Sequence, residues 1–223
     1  MPVDVVDDVA TAFADAVAEA AARRPGGPAS PFHLVLSGGP TARRCYEELA
    51  RRPGDVPWAR TVVLMGDERC VGPDDEDANQ RLVREALLAH VPPPAAFHPM
   101  TVAEGPRGYE RHLRRLPPPD LVHLGLGPDG HTASLFPGGA ALCAPPDRLV
   151  VDSVDPSGRN PHPRMTLTLP ALALARLALF TVSGPAKAAA LAAARAGAPL
   201  PATLVRAARV RCLADPAAAA PAA

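Results

Sequence analysis

An excess of charge of either sign is missing from this sequence. Lysine plus arginine number 23 and aspartate plus glutamate number 23, so no global field draws the chain to nucleic acid or acidic lipid, and any anion site has to be local. No apolar run suggests a membrane span. Cys45, Cys70, Cys143 and Cys212 are far apart with no C-x-x-C pair, and the N-terminus carries no basic-then-apolar leader, so reduced packing cysteines in the cytoplasm are expected. There is no G-x-S-x-G, which removes the nucleophile elbow of a serine esterase. His33, His90, His98, His112, His123 and His162 show neither H-E-x-x-H nor paired spacing, so no metal site is expected. No internal repeat and no long linker divides the chain.

What is present is enough apolar material for one core: 48% of 223 residues are hydrophobic. Over residues 4–24, Val5, Val9, Phe13, Ala16, Val17 and Ala20 recur at three- and four-residue steps, the pattern of a helix face. Short strands are expected at residues 33–36, 61–65, 97–100, 121–124, 149–154 and 176–182, with a further extended piece over 164–168. Helices are expected over 42–52, 78–89, 108–116 and 187–196, and a helix-to-strand passage over 205–213. This alternation argues for a single α/β domain over residues 1–215, with a largely parallel, doubly wound (Rossmann-like) sheet flanked by helices, and a flexible Ala/Pro tail over 216–223.

Four strand ends carry glycine, hydroxyl or charge, at Ser37, Asp67, Gly125 and Ser183, and parallel topology would bring them to one edge. Ser37-Gly38-Gly39-Pro40-Thr41 between strand and helix suits an anion cradle, although an ordinary βα turn with a Ser/Thr cap accounts for the same residues. The stretch from Asp120 to Gly138, DLVHLGLGPDGHTASLFPG, sets a buried strand, a glycine turn and His131 in succession. It contains G-x-G-x-x-G, but past mid-chain, with Pro128 inside and breakers beyond, which argues against a dinucleotide site.

This stretch resembles the GxGxDGHTASLFPG signature of the 6-phosphogluconolactonases. Ser37-Gly38-Gly39, Asp67-Glu68-Arg69, Asn79, Pro163-Arg164 with Thr166 and Thr168, and the Gly184–Lys187 turn follow in family order. The related glucosamine-6-phosphate deaminases share the Asp-Gly-His but usually continue differently, so Thr132 to Pro137 points to the lactonase branch. The resemblance implies a fold similar to the deaminases and hydrolysis of 6-phospho-D-glucono-1,5-lactone to 6-phosphogluconate in the pentose phosphate pathway, without cofactor or metal. It makes His131 the general base. Arg164 and Lys187 would hold the phosphate beside Ser37, Gly38, Gly39 and Thr41, and Asp67, Arg69 and Asp129 would line the lactone end. The expected partner is the small sugar-phosphate lactone, not nucleic acid or membrane, and the chain is expected as a monomer or weak homodimer.

Elementary chemistry suits these roles. Water attacking a lactone carbonyl needs a base titrating near neutrality, and histidine's ordinary pKa of about 6.5 serves. An aspartate such as Asp129 can fix the tautomer. Charge building on the carbonyl oxygen could be met by Arg69 or by N–H groups of the glycine turns. A guanidinium and an ammonium suit a phosphate dianion, with Arg43, Arg44 and Arg159 as rival cations. Pro40 and Ala42 depart from the family's SGGSTP-like turn, and Pro40 removes one N–H from the cradle. A deaminase-like isomerase and a non-catalytic sugar-phosphate sensor remain as alternatives, the sensor having no use for a base.

Overall fold

The computed structural model describes residues 1–221. Among these, regular structure runs β1 (Val3–Val5), α1 (Val9–Ala22), β2 (Phe32–Leu36), α2 (Pro40–Ala50), β3 (Thr61–Met65), β4 (Asp67–Arg69), α3 (Asn79–Val83), β5 (Ala96–His98), α4 (Gly105–Leu113), β6 (Leu121–Gly125), β7 (Val150–Ser153), β8 (Arg164–Leu167), α5 (Leu169–Ala173), β9 (Leu177–Val182), α6 (Ala188–Arg195), α7 (Pro201–Leu204), β10 (Arg209–Ala214) and α8 (Pro216–Ala219). No helix among the described residues is long and apolar enough to cross a membrane.

Seven strands form one sheet in the order β1-β10-β9-β6-β2-β3-β5, and every pairing in it is parallel. From β2 the chain adds β3 and β5 on one side and then returns to the other with β6, β9 and β10, so the direction of winding reverses between β2 and β6. The crevice outside the carboxyl ends of the strands at such a reversal is where open α/β sheets bind ligands. Parallel strands covered on both faces need continuous apolar sequence, and all five residues of β2 and all six of β9 are buried. The core face of α2 is Ala42, Cys45, Tyr46 and Leu49, one helical stripe.

A second sheet, β4-β8-β7, is antiparallel. The strand pieces expected over 149–154 and 164–168 therefore belong to it and not to the parallel sheet. It hangs from the carboxyl edge at Gly66, whose N–H donates to the Leu36 carbonyl at 2.7 Å and whose carbonyl accepts from Leu167 at 2.8 Å. Alternation along paired strands puts Asp67, Arg69, Arg164 and Thr166 on one face, with Arg69 directly opposite Arg164.

The chain starts differently from the single helix expected over residues 4–24. Asp8 accepts from the N–H groups of Ala10 at 2.7 Å and Thr11 at 3.0 Å, an N-cap that contributes about 1 kcal/mol and begins the helix at Val9. Before it, Val3 and Val5 pair with Cys212 and Ala214 as an edge strand. The helix expected over 78–89 holds α geometry only to Val83 and widens into a π turn over Arg84–Leu88. Where a loose tail is expected from Pro216, the chain forms α8, capped by Asp215 with Ala218 buried; residues 222 and 223 of that tail lie outside the described residues.

Glu110 on α4 holds the small sheet to the body of the protein. One carboxylate oxygen accepts from Arg114 Nε at 3.0 Å, and the other from Arg148 Nε at 3.0 Å, Leu149 N at 3.2 Å and Val150 N at 3.4 Å. Burial alone would raise its pKa, but these donors outweigh it and hold the carboxyl at about 2. A carboxyl depressed in this way adds stability above its unfolded pKa that is lost as the pH falls through the folded value. Glu110→Gln should therefore cost about 1.5–3 kcal/mol near neutrality, with the deficit shrinking between pH 4.5 and about 2. Denaturant titrations of both proteins at pH 7 and pH 3 check this, and an equal deficit at both would mean that the charge is not what anchors the helix.

Candidate active site

A cavity of about 340 Å³ opens over the β2–β6 reversal. Its wall is built from the ends of β2, β4, β6 and β9 together with the start of α2: Ser37 to Ala42, Asp67, Arg69, Gly125 to Gly127, His131, Arg164 and Lys187 all line it.

Ser37 anchors the first wall. Its hydroxyl donates to the His123 carbonyl across the reversal at 2.8 Å, and its N–H donates to Tyr46 Oη at 2.9 Å. Both of its donors are engaged with the protein, so the donors expected from Ser37 in the sequence do not point at a ligand. Gly38 must be glycine, because a Cβ there would run into the Asn79 amide, and Gly39 sits at φ 106°. Pro40 occupies the first turn of α2, where its missing N–H would have no helical partner in any case, so its cost to the helix is small while the cradle has one donor fewer. The helix start has no side-chain cap, and its early N–H groups form the positive end of the helix dipole, which favours an anion. Behind this wall His123 is buried, with Nδ1 2.9 Å from Tyr46 Oη and Nε2 2.8 Å from Thr181 Oγ1. Burial pushes its pKa down to about 3, so it stays neutral and structural.

The loop after β6 closes on itself through the Gly127 N–H to the His131 carbonyl at 2.8 Å and the Gly130 N–H to the Gly127 carbonyl at 2.9 Å. This fold-back delivers His131 to the cavity with its Nδ1 2.6 Å from Asp129 Oδ1. Asp129 also accepts the His131 N–H at 3.1 Å. Partial burial would raise the Asp129 pKa, but these contacts with His131 hold it below the usual carboxylate range. Asp129 does not line the cavity; it stands behind the imidazole and leaves Nε2 for the cavity side. Gly127 makes room for the pair, since a Cβ there would collide with the His131 ring and the Asp129 carboxylate. Ala133, one residue before Ser134, is held at φ 48° in the turn closed between Thr132 and Leu135.

The small sheet brings the charges. Asp67 and Arg164 are 3% and 6% exposed. Ser134 Oγ donates to Asp67 Oδ2 at 2.7 Å and accepts from Arg164 at 3.4 Å, while Asn160 Oδ1 accepts from Arg164 at 3.3 Å. Burial lowers the pKa of Arg164, opposed by Asp67, and burial lowers that of Lys187, opposed by Asp129. The Nε groups of Arg69 and Arg164 are buried with no hydrogen-bond partner among the described residues, an arrangement that is costly unless an acceptor binds there. Of the rival cations, Arg43 pairs with Glu85 at 3.5 Å; Arg44 reaches Ser183 Oγ at 3.5 Å. Neither they nor Arg159 line the cavity. Among the described residues no group of three or more His, Cys, Asp or Glu side chains is placed to hold a metal.

Three supporting residues escaped sequence reasoning. Ser134 lies inside the quoted signature but was given no role there, Asn160 belongs to no motif, and only the packed fold shows them bracing Asp67 and Arg164. Glu68, on the reverse face of β4, accepts from Arg69 N at 2.8 Å, Asn79 N at 2.7 Å and Gln80 N at 2.7 Å. Burial lifts its pKa to about 7 while those N–H groups pull the other way. Its place inside Asp67-Glu68-Arg69 was the available signal, since alternation sends it to the face opposite its neighbours.

Residues 2–214 match the family profile described as glucosamine-6-phosphate isomerases/6-phosphogluconolactonase. A 6-phosphogluconolactonase of a Synechocystis species is 42% identical over 168 residues, covering 69% of this chain and 67% of that protein. One of Mycobacterium leprae is 40% identical over 183 residues, covering 74% and 73%. The crystal structure of 6-phosphogluconolactonase from Thermotoga maritima superposes with a TM-score of 0.82 at 28% identity, over 96% of this chain and 99% of that one. The sheet order and the cavity at its reversal thus sit within a known architecture, and the chain belongs to the glucosamine-6-phosphate isomerase/6-phosphogluconolactonase family.

Proposed function

We propose that this cavity hydrolyses 6-phospho-D-glucono-1,5-lactone to 6-phospho-D-gluconate, the lactone step of the oxidative pentose phosphate pathway, with His131 as the base that activates water. The observation that carries this reading is the His131 Nδ1–Asp129 contact of 2.6 Å, which orients the imidazole beside a wall of cations. The names of the relatives given above, at about 40% identity, support the same substrate.

The chemistry follows from that geometry. Nε2 of His131 takes a proton as the water oxygen bonds to the lactone carbonyl carbon, and Asp129 steadies the imidazolium that results. The negative charge that forms on the carbonyl oxygen meets Arg69, whose Nε lacks a partner. Collapse of the tetrahedral intermediate breaks the bond from the carbonyl carbon to the ring oxygen, and that oxygen receives the proton from His131. The base is regenerated, and only water is consumed. Arg164 and Lys187 grip the phosphate, helped by Gly38, Gly39, Thr41 and the open start of α2. Asp67 acts through Ser134 to fix Arg164. We read the enzyme as cytoplasmic, as a monomer or weak homodimer, and as a single α/β unit of residues 1–215.

His131→Ala should lower turnover about 100-fold or more while leaving the protein folded. Near-normal activity in that variant, after subtraction of spontaneous lactone opening, would sink the assignment. Lys187→Ala and Arg164→Ala should each lose a charge-assisted contact of about 1.5–3 kcal/mol, or roughly 10- to 150-fold, mainly in KM. The loss should fall on the phosphorylated lactone and spare unphosphorylated gluconolactone; equal losses on both would move these cations to the carbonyl or to the fold. Gly127→Ala should act on kcat by displacing the His131–Asp129 pair, and a variant with parental kcat would show that the pair tolerates the added methyl.

A further inference from the structure

Phe136 is fully buried yet stands outside the continuous hydrophobic core. Its ring centroid lies 5.0 Å from that of the His131 imidazole, with the planes at 50°. The guanidinium carbon of Arg164 lies 5.6 Å from the same centroid. Phe136 does not line the cavity, so it does not meet the substrate; it meets the base and the phosphate cation instead.

Neither of those groups is fully held by its polar contacts. Asp129 holds His131 through one nitrogen at 2.6 Å, and the ring has no second hydrogen bond among the described residues. Arg164 makes only long contacts, 3.4 Å to Ser134 and 3.3 Å to Asn160, and its Nε has no partner. A π face within about 6 Å attracts a guanidinium, and an aromatic contact against the imidazole supplies the second point that sets the plane of the ring. From these contacts we infer that Phe136 is a positioning residue shared by the two ends of the site, setting the plane of His131 and seating Arg164. This rests on the roles proposed above for those two residues.

The test replaces the ring while keeping apolar volume, with Phe136→Met and Phe136→Leu, and measures thermal unfolding together with kcat and KM on phosphorylated and unphosphorylated lactone. The expected result is cooperative folding, a kcat lower by about 10- to 100-fold on both lactones, since misplacement on the order of 1 Å costs that much, and a KM raised several-fold on the phosphorylated lactone alone. Folded variants with parental constants overturn the inference, as does a change confined to kcat or to KM. Should neither variant fold, the His131 ring-proton resonances of the intact protein decide: displacement by the neighbouring ring, with a further change on adding inorganic phosphate, supports the role, and ordinary positions that ignore phosphate overturn it. His131→Ala is assayed in parallel. If it stays active, the base assignment itself has failed; if it is dead while the Phe136 variants are normal, only the positioning role has.

Discussion

A carboxylate as buried as that of Asp67 has to be answered by donors, and the way it is answered organises the site. The Ser134 hydroxyl supplies the short contact of 2.7 Å, and the Arg164 guanidinium follows at 3.9 Å. Ser134 lies on the loop that has just delivered His131, whereas Asp67 and Arg164 lie on the small sheet. One buried charge therefore ties the glycine-rich loop of the parallel sheet to the antiparallel appendage. Removing Asp67 would leave a buried guanidinium uncompensated, the situation in which a lost ion-pair partner costs most.

The same logic repeats one layer out. Glu68 gathers three N–H groups on the reverse face of β4 and so sets Asn79 against Gly38, on the anion side of the cavity. Asp215 accepts from Ser183 Oγ at 2.6 Å and from the Gly184 N–H at 3.0 Å, fixing the turn that leads to Lys187. Of the charged groups that line the cavity, His131 and Lys187 thus stand on turns pinned by Asp129 and Asp215, and Arg69 on a strand end pinned by Glu68, three acids that do not line it themselves.

Much of the architecture was legible because it follows from short-range pattern. Buried runs such as Phe32 to Leu36, breakers after each, and helical stripes such as Ala42, Cys45, Tyr46 and Leu49 identify an α/β chain, and parallel pairing carries the four polar strand ends to one edge. The motif at Asp129-Gly130-His131 was readable for the same reason, since the two side chains that meet are two residues apart. The antiparallel sheet was not legible, because the pairing of Arg69 with Arg164 joins residues far apart in the sequence and β4 is only three residues long. The edge strand at Val3–Val5 was absorbed into the following helix, because its valines fit the helical repeat as well as a strand and only the Asp8 cap separates the two. Ser37 was readable as a site residue but not in its orientation, which depends on Tyr46 and on the neighbouring strand.

Ala133 is the one residue other than glycine among those described that holds a positive φ, at 48°. An L-residue there carries a local strain of about 1–2 kcal/mol, and its methyl group forms part of the cavity wall. Glycine would relieve the strain but free the backbone between His131 and Ser134, and a β-branched residue could not adopt the angle. The substitutions open to this position are therefore narrow, and the loop joining the base to the Asp67 anchor has little room to drift in sequence.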